Sequence, residues 1–350
     1  MELLFSITSI IHETPDTKTF YLKPVNDVGI SYKAGQFLTF IFDEAGHEVR
    51  RSYSLGSTTG VDASIFITVK RKENGSISRR LIDHYKTGDI LKAIEPSGRF
   101  TIDEPLVKRY IFIAAGSGIT PIFSLIKQLL YFHPGTTVLL INQCRNERNI
   151  IYAGELEELQ TKFEARFTII QLFSQPSSHL YLSKRVNNTW LEIMIRQQLA
   201  QYDIHNLQCY ICGPVIFMLM AEFTLKLLHI TDGQIHKEQF IISKPPPPPL
   251  VQDAAPKQVT LHYKKNTYTI QAAYPTSILD AALKKGIPLP YSCKAGICST
   301  CAAQCVRGKI IMSNNEVLTG KDIEKGMILT CTGYAVTDIE ISFDENFTSI

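Results

Sequence analysis

The sequence contains no apolar run that approaches the roughly 18 residues of a membrane-spanning helix. The nearest candidate, residues 216–230, is interrupted by Glu222 and Lys226, and this pattern predicts an amphipathic helix. The N-terminal Met-Glu-Leu-Leu-Phe has no basic residues ahead of its apolar ones, so it does not have the form of a secretion signal. We therefore expect a cytoplasmic chain without a membrane span.

An excess of one charge is also missing. The formal net charge is only +3 over 350 residues, which argues against a nucleic-acid partner. Hydrophobic residues make up 45% of the chain and charged residues 20%, as in ordinary globular proteins. A chain of this length is too long for one typical core, so we expect two or three domains.

Four of the eight cysteines follow a spacing that iron–sulfur proteins use. Cys293, Cys298 and Cys301 form C-x4-C-x2-C, and Cys331 follows after 29 more residues. This is the ligand spacing of a plant-type [2Fe–2S] cluster, and the small residues between the cysteines let backbone N–H groups approach the sulfurs. A structural zinc site is the alternative, although zinc sites usually combine two short cysteine hooks and only one is present here.

The remaining cysteines show no ligand spacing. Cys144, Cys209 and Cys305 are expected to be ordinary thiols. Eight cysteines in a chain without a secretion signal indicate a reducing compartment, where thiols stay available for metal.

One domain boundary is visible as five consecutive prolines, Pro245–Pro249. Consecutive prolines favour extended polyproline II, so this segment is predicted to be a semi-rigid spacer. A proline-rich ligand for a recognition domain is the alternative. The spacer divides the chain into a large N-terminal block and a module of about 90 residues, an ordinary size for one small domain.

The N-terminal block changes its pattern near Lys108. Before that point, alternation and β-branched residues predict short strands of a small antiparallel barrel; after it, buried strands alternate with helices, which predicts a parallel sheet. The predicted strands are Phe5–Ile11, Thr17–Leu22, Phe37–Phe42, Ser52–Leu55, Ile65–Lys70, Tyr110–Ala114, Thr137–Asn142, Phe167–Phe173 and Gln208–Cys212, and the predicted helices are Ile122–Tyr131, Ile151–Phe163 and Val215–Leu228.

Three segments of the predicted barrel carry a family signature. They are Arg51-Ser52-Tyr53-Ser54, Gly75-Ser76-Ile77-Ser78 and Pro96-Ser97-Gly98-Arg99-Phe100. In this order they resemble the R-x-Y-S, G-x-x-S and P-x-G-x-F segments of the ferredoxin–NADP reductase family, which implies a bound flavin.

The resemblance gives individual residues a role. Arg51 is expected to fork onto the flavin pyrophosphate, Tyr53 to stack on the flavin, and Ser54 to hydrogen-bond the flavin edge near N5. Backbone N–H groups at the start of a helix are expected to hold phosphate. FAD is favoured over FMN because two segments can serve a second phosphate. The expected flavin-binding residues are Arg51, Ser52, Tyr53, Ser54, Val69, Lys70, Gly75, Ser76, Ile77, Ser78 and Phe240.

A glycine-rich segment follows the first strand of the predicted parallel sheet. Gly116-Ser117-Gly118 and then Thr120-Pro121 stand between that strand and a helix, where glycines let a pyrophosphate approach the helix N-terminus. The family resemblance places Thr120 near the flavin ring. Cys212-Gly213-Pro214 matches the family's C-G-P segment, whose thiol lies beside the nicotinamide; an ordinary buried cysteine is the alternative. We expect Ser54, Thr120 and Cys212 to be catalytic.

The C-terminal part of this block adds two weaker signals. Glu238-Gln-Phe240 resembles the family's E-x-F ending, in which the aromatic residue lies near the flavin. Arg145 and Ser174, with Arg148 and Arg185, fall near strand ends that face the adenosine ribose in this family, and no acidic residue ends the Val138–Asn142 strand. We expect NADPH, with NADH as the alternative.

The three parts in this order resemble the reductase component of phenylacetyl-CoA epoxidase and related oxygenase reductases. The resemblance implies a flavin-binding barrel at 1–104, an α/β nucleotide domain at 105–242, a linker at 243–258 and a β-grasp ferredoxin domain at 259–350. It also implies electron flow from NAD(P)H through FAD and the cluster to a separate acceptor, such as a di-iron or other oxygenase, an epoxidase or a desaturase.

A redox sensor or a self-contained oxygenase using the same electron chain is the alternative function. The nine histidines include no His-x3-His pair that would indicate an oxygen-activating metal site. No segment remains for an effector or nucleic-acid module, which a sensor would require.

Overall fold

A computed structural model describes residues 2–26, 29–103, 108–178, 185–201, 203–240, 247–250 and 253–344. The chain forms two compact units, Met1–Ile241 and Ile242–Ile350. The predicted boundary between residues 104 and 105, and linker residues 243–246 and 251–252, lie outside the described residues. Within the described ranges, no helix is both long and apolar enough to cross a membrane.

The first sheet is antiparallel and has the strand order β4-β3-β6-β1-β2-β5. Phe5, Phe20 and Phe40 are fully buried and fill its core. The predicted antiparallel fold is confirmed, although β6 was not predicted from the sequence. The elements are β1 (Glu2–Thr14), β2 (Thr17–Pro24), β3 (Phe37–Glu44), β4 (His47–Ser54), β5 (Ile65–Lys70), α1 (Ser76–His84) and β6 (Ile90–Ser97).

The second sheet is parallel and has the order β11-β10-β7-β8-β9. Every residue of β7 is buried, as expected for the central strand of a sheet covered on both faces. The predicted α/β fold is confirmed. The elements are β7 (Arg109–Ala115), α2 (Ile119–Phe132), β8 (Thr137–Cys144), α3 (Ala153–Lys162), β9 (Phe167–Phe173), α4 (Asn188–Leu199), β10 (Leu207–Cys212), α5 (Val215–Leu227) and β11 (Ile235–Glu238).

The order of this parallel sheet creates a crevice. The chain runs from β7 to β8 on one side and later returns to β10 on the other side of β7. The carboxyl ends of β7 and β10 therefore flank a topological switch point, where open α/β sheets bind their ligands.

The second unit is a mixed sheet of order β13-β12-β18-β14-β16, in which β12 and β18 are parallel. Helix α6 packs on it through Ile278 and Leu279, both fully buried. This is the predicted β-grasp ferredoxin fold, and it is confirmed. The elements are β12 (Lys257–Tyr263), β13 (Asn266–Ala272), α6 (Ile278–Lys284), β14 (Ala302–Arg307), β15 (Ile310–Met312), α7 (Gly320–Glu324), β16 (Met327–Leu329), β17 (Gly333–Ala335) and β18 (Ile339–Ser342).

Candidate functional site

The crevice of the first unit is formed by two backbone turns that approach each other closely. Gly118 leads into α2, and a Cβ at this position would lie 2.1 Å from the Cys212 carbonyl oxygen. Gly116 has a left-handed φ of +57°, which glycine adopts without strain. These glycines bring the start of α2 and the end of β10 together, so the two predicted nucleotide segments share one site.

Three polar side chains from distant parts of the sequence meet at this crevice. The Ser54 hydroxyl donates a hydrogen bond of 2.9 Å to a carboxyl oxygen of Glu238. Glu238 lies directly opposite Cys212 in the β10–β11 ladder, and Cys212 is fully buried. A serine, a thiol and a carboxyl group are thereby placed where the flavin-binding domain meets the nucleotide-binding crevice.

The environment keeps two of these groups protonated near neutral pH. Burial raises the pKa of Glu238 to about 8, although the Ser54 hydrogen bond lowers it. Burial also raises the pKa of the Cys212 thiol, and the neighbouring Glu238 charge adds to that effect. The crevice therefore offers a neutral thiol and a carboxyl group that changes its charge near physiological pH.

Sequence reasoning did not select Glu238 as a site residue, although it noted the E-x-F segment. Glu238 is the last residue of β11, a four-residue strand of sequence Ile-His-Lys-Glu. This sequence has no apolar pattern that would predict a strand. Phe240 remains partly exposed two residues later. Glu238 could have been identified from its position at the carboxyl end of a strand beside Cys212.

Thr120 lies in the first turn of α2 and is buried. Its hydroxyl oxygen makes no hydrogen bond of ordinary geometry within the described part of the chain, although it lies near the hydroxyl of Tyr152. Buried hydroxyl groups usually have a well-formed hydrogen bond, so the Thr120 hydroxyl has capacity for one to a ligand. Pro121 follows it in the first helical turn, where proline is well tolerated.

The R-x-Y-S segment lies on β4 and alternates between two faces of the sheet. Arg51 is exposed and donates from Nη1 to the Arg50 carbonyl at 2.7 Å. Tyr53 lies on the same face, and its ring packs near that of Phe40 at 6.1 Å. Ser52 points to the other face, where its hydroxyl is 2.9 Å from that of Thr39. Arg51 is thus accessible to a ligand, while Tyr53 packs partly against the core.

The G-x-x-S segment forms the start of α1, where the first N–H groups of a helix lack partners. Gly75 precedes the helix, and a Cβ there would lie 2.4 Å from Ser78 Oγ. Ser78 is tied into the loop, since its hydroxyl donates to the Gly75 carbonyl and accepts from the Lys72 N–H. Backbone N–H groups are therefore the groups this segment can offer to a phosphate, while the Ile77 side chain is buried in the core.

Two further flavin candidates end β5. The Val69 side chain is fully buried, and Lys70 forms an ion pair of 3.4 Å with Asp16. Val69 can therefore act only through its backbone, and Lys70 keeps a partly exposed ammonium group.

The coenzyme candidates lie together at the carboxyl ends of β8 and β9. Arg145 donates from Nε to the Gln175 side chain at 2.9 Å, and the Ser174 N–H donates to the Cys144 carbonyl at 3.0 Å. Glu147 accepts hydrogen bonds from the N–H groups of Ser177 and Ser178. The Glu147 carboxylate is thus bound by backbone N–H groups, and Arg145 and Ser174 directly follow the adjacent strands β8 and β9.

The four predicted cluster cysteines converge in the second unit. The Cys293 thiol interacts with those of Cys298 and Cys331, and Cys331 also interacts with Cys301. These contacts link all four thiols, and four cysteine thiolates are the ligand set of a [2Fe–2S] cluster.

The loop that carries three of these cysteines has a shape suited to a cluster. Gly296 has a φ of +78°, and a Cβ there would lie 2.6 Å from the Asn314 carbonyl oxygen. The Ala295 N–H points at Cys293 Sγ at 3.3 Å, and the Ala295 carbonyl accepts from the Asn314 amide at 2.7 Å. Backbone N–H groups directed at sulfur are the fit expected for an iron–sulfur cluster.

A flavin domain, a nucleotide crevice and a ferredoxin fold in one chain define an electron-transfer reductase. Family models match all three parts: the oxidoreductase FAD-binding domain at residues 4–102, the oxidoreductase NAD-binding domain at 112–222 and the 2Fe-2S iron-sulfur cluster binding domain at 261–336.

Curated relatives match this chain along almost its whole length and theirs. The ferredoxin reductase component of 3-ketosteroid-9-alpha-monooxygenase from Rhodococcus rhodochrous is 30% identical, with 97% of each chain covered. One of the subunits of 1,2-phenylacetyl-CoA epoxidase from Escherichia coli strain K12 is 31% identical, again with 97% of each chain covered. A solved structure of phthalate dioxygenase reductase is also similar: it is 23% identical, 98% of each chain is covered, and the TM-score is 0.61.

The chain therefore belongs to the ferredoxin–NADP reductase-type family of oxygenase reductase components with a C-terminal ferredoxin domain. It is an NAD(P)H-dependent oxidoreductase that passes electrons through FAD and a [2Fe–2S] cluster to a separate acceptor protein.

Replacing Arg51 should reduce flavin binding without affecting iron. Arg51→Ala removes a planar donor from the exposed face of β4, and lost hydrogen bonds to a charged group correspond to about ten- to hundredfold weaker binding. Arg51→Lys should restore only part of the loss, because lysine lacks the bidentate fork. The measurement is the flavin-to-iron ratio of the purified proteins. Arg50→Ala is the matched control, since the Arg50 side chain forms an ion pair with Glu48. Full flavin occupancy in Arg51→Ala would show that Arg51 does not hold the flavin.

The raised pKa of Glu238 predicts a pH-dependent stability. Because the folded chain holds this proton more tightly than the unfolded one, stability is highest below about pH 4.5 and falls as pH rises to about 8. Glu238 keeps some exposed surface, so the slope should be less than the full ~1.4 kcal/mol per pH unit.

Melting curves of the wild type and Glu238→Gln from pH 5 to about 9 test this, and the difference between them should grow up to pH 8 in favour of the glutamine variant. Glu157→Gln, at an exposed position of α3, serves as the control and should leave the pH dependence of the wild type intact. Parallel curves for the wild type and Glu238→Gln would show that Glu238 is not the titrating group.

Proposed function

We propose that this chain is the reductase component of an oxygenase, epoxidase or desaturase system, with a di-iron or other oxygenase protein as its acceptor. The observation that carries the proposal is the full-length similarity to components named for a 3-ketosteroid monooxygenase and for phenylacetyl-CoA epoxidase. A glycine betaine monooxygenase reductase from Pseudomonas aeruginosa, 26% identical over 97% of this chain, supports the same class of partner. The eight free cysteines support the cytoplasm as the place of action.

We assign the flavin end of the path to residues of the first unit. Bound FAD supplies the conversion of a two-electron donor into single electrons. Arg51 and the N–H groups at the start of α1 hold its phosphates, and Tyr53 lies against its ring. Ser54 and Glu238 form a hydrogen-bonded pair that can hold or move a proton at the hydroxyl and carboxyl oxygens.

Cys212 and Thr120 orient the reacting rings in this proposal. The neutral Cys212 thiol is fully buried and presents a small, polarizable surface at the end of β10. Thr120 offers a hydroxyl from the start of α2 that makes no well-formed hydrogen bond within the described residues. Gly116, Ser117, Gly118, Pro121, Gly213 and Pro214 shape the backbone turns that receive the coenzyme.

We assign the cluster to Cys293, Cys298, Cys301 and Cys331. The thiol contacts join Cys298 to Cys293, Cys293 to Cys331 and Cys331 to Cys301, so all four side chains lie close enough to share one cluster. Backbone N–H groups of Ala295, Ile297 and Gly296 face these sulfurs and would stabilise added negative charge.

We propose NADPH as the preferred coenzyme, with Arg145 and Ser174 facing its 2′-phosphate. The positions of Arg145 and Ser174 directly after two adjacent parallel strands support this, since arginine is the usual partner of that phosphate. Arg145→Ala should raise the KM for NADPH about tenfold and leave the KM for NADH nearly unchanged. An equal rise of the KM for NADPH and for NADH would show that Arg145 does not recognise the 2′-phosphate.

The oxygenase-reductase role is tested by separating electron transfer from oxygenation. The purified chain should oxidise NADPH with ferricyanide and should not oxygenate a substrate by itself. Addition of its oxygenase protein, identified by affinity capture or from neighbouring genes, should couple NADPH oxidation to substrate oxygenation. Oxygenation by the chain alone would favour the self-contained oxygenase instead.

A further inference from the structure

Helix α5 is apolar on two faces. Its inner face packs into the core below the parallel sheet through Met218, Ala221 and Leu225. Its outer face carries four large apolar side chains that remain 55–77% exposed: Ile216, Leu219, Phe223 and Leu227. A surface helix usually presents polar residues on this side, so a continuous apolar stripe indicates an interaction surface.

These four residues, which we call the outer seam, lie along one line of the helix. Their successive spacings are three, four and four positions, so they fall on one narrow face over about three turns. That is the spacing with which one helix packs along another.

The charges beside the outer seam are already paired within the chain. Lys226 forms ion pairs with Glu222 at 3.1 Å and with Asp232 at 2.7 Å, and Lys237 pairs with Glu222 at 2.6 Å. A helix that lies on a membrane usually has a basic polar face for lipid head groups, and these lysines are instead neutralised by carboxylates. The surroundings favour an uncharged, apolar protein partner.

We propose that the outer seam is a dimer interface, in which α5 of one copy lies antiparallel against α5 of a second copy of this chain. An antiparallel pair of this length places Leu219 opposite the partner's Phe223 and Ile216 opposite the partner's Leu227. The N-terminal end of one outer seam therefore contacts the C-terminal end of the other copy's seam, and each Phe223 contacts the smaller Leu219 of the second copy. A two-fold interface requires such self-complementarity.

The available area is sufficient for a weak dimer. Helix α4 lies beside α5, with the Asn188 amide donating to Thr224 Oγ1 at 2.9 Å, and contributes the partly exposed Trp190 and Ile193. Six large apolar side chains with roughly 100 Å² exposed each give ~600 Å² per copy, or ~1,200 Å² in the pair. That total is at the lower limit of specific interfaces, so we expect association in the micromolar range.

Sedimentation velocity of the full chain with its cofactors tests the interface. Between about 1 and 100 µM, the wild type should shift from monomer to dimer. Leu219→Glu and Phe223→Glu should each weaken the dimer about tenfold or more, because each buries a charge against the partner's apolar side chain. Ile323→Glu is the matched control, since Ile323 is comparably exposed but lies on α7, and it should sediment as the wild type does.

A mixing experiment tests the antiparallel register. Leu219→Lys and Phe223→Glu should each be monomeric alone, and an equimolar mixture should form a heterodimer, because the two introduced charges face each other across the two-fold pair. The proposal is overturned if the wild type stays monomeric at about 100 µM, if Ile323→Glu weakens the dimer equally, or if the mixture stays monomeric. A monomer that binds neutral phosphatidylcholine vesicles through the outer seam would also overturn it, in favour of a lipid partner.

Discussion

Cys331→Ala should lose the [2Fe–2S] cluster and keep the flavin reaction. Cys331 is buried between β16 and β17, and it is the one cluster thiol that does not come from the 293–301 loop. Three thiolates cannot complete a site that requires four, so iron content should fall close to zero. NADPH-dependent ferricyanide reduction should stay within about twofold of wild type, because Cys331 belongs to a different compact unit from the flavin-binding residues.

The matched control for this variant is Cys305→Ala. Cys305 is half-buried on β14, and its thiol is directed at the Arg307 and Gly308 carbonyl oxygens rather than at another thiol. This variant should retain iron, the EPR signal of the reduced cluster and electron transfer to cytochrome c. A cluster that survives Cys331→Ala and is lost in Cys305→Ala would mean that the fourth ligand is wrongly assigned.

Cutting the chain near Pro247 should give two folded proteins whose mutual electron transfer depends on concentration. The two compact units divide next to this segment, and each has its own buried core. The Pro248 carbonyl accepts a hydrogen bond of 3.4 Å from the Tyr274 hydroxyl of the ferredoxin unit. The protease site is therefore placed at residues 243–246, so that Pro248 stays with the ferredoxin piece after cleavage. Cleavage removes the tether's effective concentration, and transfer at micromolar protein should slow about a hundredfold.

Three measurements follow this cleavage: the ferricyanide rate of the flavin piece, the visible spectrum of the ferredoxin piece, and cluster reduction in mixtures at increasing concentration. The uncut chain carrying the same protease site is the control. The tethered-carrier idea fails if the pieces precipitate after cleavage, or if the transfer rate does not change with concentration.

The sequence was most informative where the chemistry depends on residues close together in the chain. The C-x4-C-x2-C spacing and the R-x-Y-S segment each lie within one loop or strand. Their function can therefore be predicted without knowledge of the fold. The buried strand β7 and the glycines after it were also visible, since a fully apolar run followed by glycine and a helix has few other interpretations.

Features that depend on contacts across the fold were not visible. Glu238 matters because it meets Ser54, a residue 184 positions away, and because burial raises its pKa to about 8. Strand β11 has four mostly polar residues and gains its structure from pairing with β10. Likewise, residues 216–230 were expected to form an amphipathic helix, and only the structure separates the inner face of α5 from its exposed outer seam.

Rapid mixing of the full chain with NADPH under anaerobic conditions tests the central claim most directly. We expect the flavin absorbance to bleach first, and the iron–sulfur absorbance to fall afterwards, with a rhombic EPR signal equal to about one electron per chain. Cys331→Ala should show the first phase alone. Bleached flavin with a cluster that stays oxidised in the wild type, or a protein that holds zinc in place of iron, would contradict the account.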